Sequence, residues 1–171
     1  MSAELATYGD LLFGAEPAGS FAELRWRLRD GRMGREFVGL GDRRRLAAMI
    51  VARGRTTDLF VGVAPRVRQE GTRDAIARVH AVWVDCDDDQ AIEALEHFSP
   101  APSLVVASGR GVHAYWSLLE PLAPAWAEKR TAAWRTRSGR TCRPPTRLAS
   151  CARRRPRTGR PARRGRSSSS A

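Results

Sequence analysis

The sequence is poor in the residues that build metal or disulfide scaffolds, and it has no long apolar run. Its three cysteines, Cys86, Cys142 and Cys151, form no C-x-x-C pair and no zinc spacing. They are predicted to be free thiols in a reducing cytoplasm. No apolar run approaches the roughly 20 residues needed to cross a bilayer, and residues 1–13 lack the pattern of a signal peptide. We therefore expect a cytoplasmic protein with no membrane partner.

Acidic residues are almost missing from the last part of the chain. Residues 1–120 hold 15 Arg against 17 Asp and Glu, whereas residues 121–171 hold 15 Lys and Arg against the single acid Glu128. The net charge of +12 therefore arises entirely in the C-terminal segment. We divide the chain into a domain at 1–125 and a disordered Arg-, Pro- and Ser-rich tail at 126–171.

The tail allows two interpretations. It is typical of a disordered basic segment that binds nucleic acid. Alternatively, it is read out of frame after Lys129, since Arg outnumbers Lys 29 to 1 and GC-rich genes read out of frame yield Arg, Pro, Ala, Gly and Ser. Back-translation into the shifted frame turns three dipeptides into Leu, Met or Val, and it permits acidic residues further on. Those dipeptides are Ala133-Trp134, Thr141-Cys142 and Ser150-Cys151.

The first 125 residues mix strand and helix patterns without a regular βαβ repeat. Period-two or continuous apolar patterns predict strands at 21–29, 35–40, 59–64, 80–84, 103–107 and 112–118. Helices are predicted at 5–13, at 43–52 with Asp42 as its N-cap, at 90–98 with Asp89 as its N-cap, and from 121. The fold class is therefore α+β with a mostly antiparallel sheet.

The run Trp83-Val84-Asp85-Cys86-Asp87 ends one of the apolar strands. Side chains two apart on a strand share a face, so both carboxylates are predicted to lie on one side. Two carboxylates at close range repel unless a cation lies between them, and hard oxygen ligands suit Mg²⁺ or Mn²⁺. The run therefore predicts a metal site of the kind that serves phosphoryl transfer.

Three other interpretations of the acidic run stay open. In an EF-hand, Asp85, Asp87, Asp89 and Glu96 would fall at ligand positions, but Gln90 stands where glycine is needed and a strand precedes the loop. In a strand-Asp-x-Asp phosphatase, Asp85 would be the nucleophile. In the third interpretation the run is a solvated turn with Asp89 as a helix cap.

A glycine-rich turn, Ser108-Gly109-Arg110-Gly111, joins the next two apolar segments, and His113 follows it. Glycines let backbone N–H groups line a concavity for phosphate, and Arg110 adds a charged donor. A histidine on a strand is more often structural than functional, and the turn alone is weak evidence. If the two strands are adjacent, however, the acids, the turn and the imidazole meet in one place.

Together the two motifs resemble the archaeo-eukaryotic primase superfamily, and within it the RepB-like primase-polymerase domains of plasmid and phage replication proteins. The strand that ends in Asp85-Cys86-Asp87 matches the family's Asp-x-Asp motif, and residues 108–113 match its small-residue turn leading to histidine. The strand at 59–63, followed by Arg66, looks like the strand that precedes the first motif. The resemblance covers about residues 20–125.

The resemblance implies a DNA-directed nucleotidyltransferase on an RRM-like core. Asp85, Asp87 and His113 would be its catalytic residues. The two aspartates would bind Mg²⁺ or Mn²⁺, and the histidine would contact the triphosphate. The implied partners are a DNA template, nucleoside triphosphates and a replicative helicase. The implied nucleotide-binding set is Ser108, Gly109, Arg110, Gly111, His113 and Arg66.

The chain departs from the family at its C-terminal side. The family needs a third acid on a strand after the histidine motif, and no Asp or Glu occurs after Glu128. We therefore expect a truncated, inactive enzyme whose core sheet is incomplete at the C-terminus. The alternative is a non-catalytic nucleic-acid-binding remnant that binds through its basic tail.

Sequencing the gene across codons 125–135 tests the out-of-frame interpretation. We expect a frame change near Lys129, with an open shifted frame that encodes an apolar, helical pattern and further acids. An immediate stop codon in the shifted frame would refute the interpretation.

Overall fold

The computed structural model describes residues 3–14, 16, 19–108, 111–137, 142–143 and 151–154. Four helices, eight strands and a short 3₁₀ turn make up this part of the chain. In order they are α1 (Ala3–Phe13), β1 (Phe21–Arg27), β2 (Met33–Gly39), α2 (Arg43–Gly54), β3 (Leu59–Gly62), the 3₁₀ turn (Arg73–Ala75), β4 (Val79–Cys86), α3 (Asp89–Glu96), β5 (Leu104–Ala107), β6 (Val112–Leu122), α4 (Pro124–Arg137), β7 (Cys142–Arg143) and β8 (Cys151–Arg154).

The strands form two four-stranded sheets. Sheet A has the order β2-β1-β3-β8, and sheet B has the order β5-β6-β4-β7. Each of these pairings is antiparallel. The α+β class with a mostly antiparallel sheet, predicted from the sequence, is therefore confirmed.

The buried side chains divide sheet B into two faces. Ala81, Trp83 and Tyr115 join the main hydrophobic cluster, which they share with the inner face of sheet A and with α1 and α2. Val82 and Trp116, which alternate with them, belong to a second cluster against α3. Because strand side chains alternate, Asp85 lies on the same face as Trp83, the one directed toward sheet A.

Of the two predicted helix caps, one is confirmed and the other is wrong. Asp42 caps α2 as predicted, since its side chain accepts a hydrogen bond from the Arg45 N–H at 2.9 Å. The cap predicted at Asp89 is wrong by one residue. Asp88 accepts from the Ala91 N–H at 2.7 Å, and α3 begins at Asp89 and ends at Glu96.

Cys86 corrects the prediction of three free thiols. It is fully buried at the end of β4 and is disulfide-bonded. The register of β4 and β7 places Cys142 directly across from it.

The segment predicted as a disordered tail contributes several elements. The boundary drawn at residue 125 falls inside α4, and the two C-terminal strands add one edge strand to each sheet. Residues 138–141, 144–150 and 155–171 lie outside the described part. Among the described residues, no helix is long and apolar enough to span a membrane.

A buried ion pair fixes the loop after β3 against sheet A. Glu23, on β1, is fully buried, and its Oε2 accepts from Arg66 Nη2 at 2.6 Å. Arg66 exposes only 1% of its side chain and also donates from Nη1 to the Thr72 carbonyl at 2.6 Å. Removing one partner of a buried pair leaves the other charge without compensation, which costs about 3–5 kcal/mol.

We therefore expect Glu23→Ala to lower the free energy of unfolding by about 3–5 kcal/mol, because it leaves the Arg66 guanidinium buried without its carboxylate. Urea unfolding followed by circular dichroism measures the change. The matched control is Glu36→Ala. Its carboxylate is one-third exposed and lies 3.8 and 3.9 Å from two arginines, so we expect a loss below about 1 kcal/mol. Equal losses for the two variants would contradict the prediction.

Candidate active site

The pairing of β4 with β6 brings the two predicted motifs together. Asp85 and His113 are Cα partners in this antiparallel pair. His113 Nε2 lies 3.1 Å from Asp85 Oδ1. The His113 side chain is 4% exposed, and the Asp85 side chain is 33% exposed. The carboxylate therefore stands at the mouth of the site, with the imidazole behind it.

Two aromatic side chains form a wall against the imidazole. Trp83 and Tyr115 precede and follow the pair on the same face, and their rings stack with centroids 6.1 Å apart. The His113 ring lies 5.4 Å from the Trp83 ring and 6.4 Å from the Tyr115 ring. This packing restricts the imidazole to one orientation beside the acid.

Three polar atoms around this wall are buried without a hydrogen-bond partner among the described residues. They are Asp85 Oδ1, His113 Nδ1 and Trp83 Nε1. The contact between Asp85 and His113 has the distance of an ion pair, but it lacks the alignment of a hydrogen bond. Buried polar groups are nearly always paired, so an unpaired cluster of this kind is typical of a site that binds something from outside.

Asp87 differs from Asp85 in its surroundings. β4 ends at Cys86, so Asp87 lies just beyond the strand, and its side chain is exposed. Strand alternation was expected to place the Asp85 and Asp87 carboxylates on one side. It applies only to Asp85, because Asp87 is not part of the strand. In the described ranges no group of three His, Cys, Asp or Glu side chains is arranged to hold a metal ion. An orphaned carboxylate oxygen at Asp85 with a second carboxylate two residues later fits part of a divalent-metal site.

The glycine-rich turn packs directly on the acidic run. A Cβ placed on Gly111 would lie 2.0 Å from the carbonyl oxygen of Cys86 and 2.8 Å from the Cα of Asp87. Only glycine leaves room for this approach. Ser108, itself buried, closes the turn by donating its N–H to the Gly111 carbonyl at 2.9 Å. Gly109 and Arg110, predicted to contact phosphate, lie outside the described residues.

Arg66 is placed differently from its predicted role. The guanidinium that the resemblance assigns to the nucleotide is buried inside the protein, where it pairs with Glu23 and the Thr72 carbonyl. No sequence pattern indicates this burial, because Glu23 lies in an Arg-rich alternating segment where an exposed acid is expected. The Trp83–Tyr115 wall was also missed, although the alternation of β4 and β6 places both rings beside Asp85 and His113.

Two alternatives for the acidic run can now be judged. An EF-hand needs a helix before the loop, and β4 stands there instead. In the solvated-turn interpretation Asp89 caps α3, but Asp88 has that role. Asp85, unlike the other aspartates of the run, is half-buried beside the polar atoms of His113 and Trp83.

The comparisons with known proteins agree with the fold. No family model matches the chain, and no curated protein matches it. Among solved structures, the chain is similar to the AEP domain of the cyanophage S-2L primase-polymerase (PrimPol), with a TM-score of 0.57 and 17% sequence identity. The match covers 88% of this chain and 80% of that one. The chain therefore has the fold of that domain.

The contact between the turn and the acidic run predicts a steric effect. Gly111→Ala should lower the free energy of unfolding by about 1–3 kcal/mol, because the added methyl group must push β6 away from the Cys86 carbonyl. Thermal unfolding followed by circular dichroism measures it. The control is Gly39→Ala, where a Cβ would meet nothing within 4 Å, and where we expect a change within about 1 kcal/mol. A neutral Gly111→Ala variant would show that the two segments are not in contact.

Proposed function

We propose that this chain is the metal- and nucleotide-binding part of a DNA primase-polymerase, a nucleotidyltransferase for the replication of a plasmid, a phage or another mobile element. The observation that carries the proposal is the register of β4 and β6, which sets Asp85 against His113 beside a turn that only glycine can form. The shared fold with the cyanophage AEP domain supports it.

In this proposal each residue has a defined role. Asp85 and Asp87 bind Mg²⁺ or Mn²⁺, and His113 supplies an imidazole N–H for the incoming triphosphate. The exposed third of Asp85 would face the metal and the substrate, while the aromatic wall holds the imidazole behind it. A divalent metal bound there would activate the primer 3′-hydroxyl and neutralise the charge of the departing pyrophosphate.

The phosphate side of the site is formed by the turn. Ser108, Gly109, Arg110 and Gly111 lead into His113. The Ser108 N–H closes the turn, and we propose that the backbone N–H groups of the next three residues and the Arg110 guanidinium hold the triphosphate. The tight approach of Gly111 to Asp87 supports this proposal, because it would keep a bound phosphate and a bound metal within reach of each other. A DNA template and a replicative helicase are the partners that this activity needs.

The chain as written lacks a third acid, since no Asp or Glu follows Glu128. We propose that the acid was lost through the frame change after Lys129 and that this chain is inactive in synthesis. Two carboxylates leave a metal weakly held, because Mg²⁺ and Mn²⁺ prefer several oxygen ligands. The frame-corrected protein is therefore the form in which to look for catalysis.

The metal-binding role is tested on both forms of the protein. In this chain, Asp85→Asn should weaken Mn²⁺ binding, measured by electron paramagnetic resonance, by at least about tenfold, because even outer-shell changes at metal sites have effects of that size. In the frame-corrected chain, the same change should abolish template-dependent nucleotide incorporation with Mg²⁺ or Mn²⁺. The matched control is Asp89→Asn, an exposed acid of the same run that we assign no metal role.

The outcomes separate this proposal from its alternative, a non-catalytic nucleic-acid-binding remnant. The charge distribution favours that alternative, since residues 121–171 hold 15 Lys and Arg and one acid. Binding through such a tail falls steeply with salt and ignores EDTA. If the frame-corrected chain makes no product with either metal, and Asp85→Asn binds Mn²⁺ like Asp89→Asn, the enzyme proposal is wrong. Hydrolysis of a small phosphomonoester without a template would instead indicate a phosphatase.

A further inference from the structure

Trp83 carries a polar atom that has no role in the proposed function so far. Its indole Nε1 can only donate a hydrogen bond, and it is buried without a partner among the described residues. The whole residue is enclosed, since only 2% of its surface is exposed. A buried donor that stays unpaired costs stability, so a group of this kind calls for an acceptor close by.

The indole of Trp83 lies beside the imidazole of the candidate site. In the register of β4 and β6, Trp83 pairs with Tyr115 and Asp85 pairs with His113, so Trp83 and His113 are diagonal neighbours on one face. Their ring centroids are 5.4 Å apart, and the rings are tilted by 49°. The Tyr115 ring stacks on the indole and limits how far it can turn. The donor is therefore held next to the histidine.

The two ring nitrogens of His113 have different surroundings. Nε2 lies 3.1 Å from Asp85 Oδ1, and an ionised carboxylate can only accept a hydrogen bond. Nδ1 is buried and has no hydrogen-bond partner among the described residues. In a neutral imidazole one nitrogen carries the proton and the other accepts, and the hydrogen bond made by one nitrogen decides the state of the other. A donor at Nδ1 would therefore keep the proton on Nε2.

One placement of the imidazole proton makes these unpaired atoms complementary. With the proton on Nε2, this nitrogen can donate toward the Asp85 carboxylate, and Nδ1 can accept from the Trp83 indole. With the proton on Nδ1, the indole would face a second donor and the carboxylate would face a nitrogen lone pair. With protons on both nitrogens, the indole would again have no acceptor at His113.

We propose that Trp83 is a positioning residue that donates its indole N–H to His113 Nδ1, directly or through one water, and thereby keeps the imidazole proton on Nε2. The use of this arrangement rests on the proposed function, in which an imidazole N–H meets the triphosphate. Nε2, beside the exposed carboxylate of Asp85, is the nitrogen placed for that contact. Asp85 would hold the proton there less firmly once its carboxylate is shared with a cation, whereas the indole is on the buried side.

Nitrogen NMR on the full chain with isotope-labelled histidine tests the tautomer in the unaltered protein. The shifts of the two ring nitrogens and their couplings to the ring protons distinguish a protonated nitrogen from a bare one. We expect His113 to carry its proton on Nε2 alone, and its signals are assigned by their loss in His113→Gln. A proton on Nδ1, or protons on both nitrogens, would overturn the proposal, whether or not any Trp83 variant folds.

A pair of variants separates the indole N–H from the aromatic wall. Trp83→Phe keeps a ring against His113 but removes the donor. We expect its His113 nitrogen shifts to move toward those of a mixture of tautomers, and dTTP with Mg²⁺ to bind about threefold to tenfold more weakly by calorimetry, the range for one hydrogen bond. The matched control is Tyr115→Phe, which removes a hydroxyl from the other ring of the wall. It should leave the tautomer unchanged and dTTP binding within about twofold. Equal shifts in the two variants would overturn the proposal.

The inference and the proposed function fail separately. If His113→Gln leaves dTTP binding unchanged while Trp83→Phe alters the tautomer, the triphosphate role of His113 is wrong and the role of Trp83 stands. If His113→Gln weakens dTTP binding while the tautomer is the same in Trp83→Phe as in the unaltered chain, the proposed function stands. In that case Trp83 contributes only its ring to the wall, and the inference is wrong.

Discussion

The candidate site depends on the register between β4 and β6. Asp85 and His113 are 28 positions apart in the sequence, and only antiparallel pairing in this register makes them direct neighbours. A slip of one residue would turn every side chain of one strand to the opposite face. The register is held on both faces, because Trp83 and Tyr115 pack toward sheet A while Val82, Val84 and Trp116 pack toward α3. The hydrophobic core thus fixes the geometry of the polar site.

The sequence predicted the features that rest on short-range patterns. The α+β class and the cap at Asp42 follow from periodicity and capping residues. The meeting of the acidic run with the glycine turn was expected only if their strands are adjacent, and the pairing of β4 with β6 makes them so. What it missed rests on long-range packing. The burial of Glu23 and Arg66 joins positions 43 apart, and no local pattern distinguishes these residues from their exposed neighbours. Asp88, and not Asp89, caps α3. The sequence could not distinguish the two, because both are aspartates of the same run.

The two sheets divide their charges in a consistent way. At the end of β4 in sheet B, Asp85 has a buried carboxylate oxygen without a hydrogen-bond partner among the described residues. In sheet A, three arginines surround the buried carboxylate of Glu23. The hydrophobic cluster between the sheets separates these two groups of charges.

The same reasoning bears on the third acid that the proposed metal site would need. A third ligand would have to come from a position next to Asp85 on β4. β6 flanks β4 on one side, and β7 flanks it on the other. Register places Arg143 as the Cα partner of Asp85 on β7. His113 holds the corresponding position on β6. In the proposed function, β7 is therefore the described strand from which a further ligand would come. The β4–β6 pairing itself needs no such ligand, because hydrophobic side chains on both of its faces hold the register.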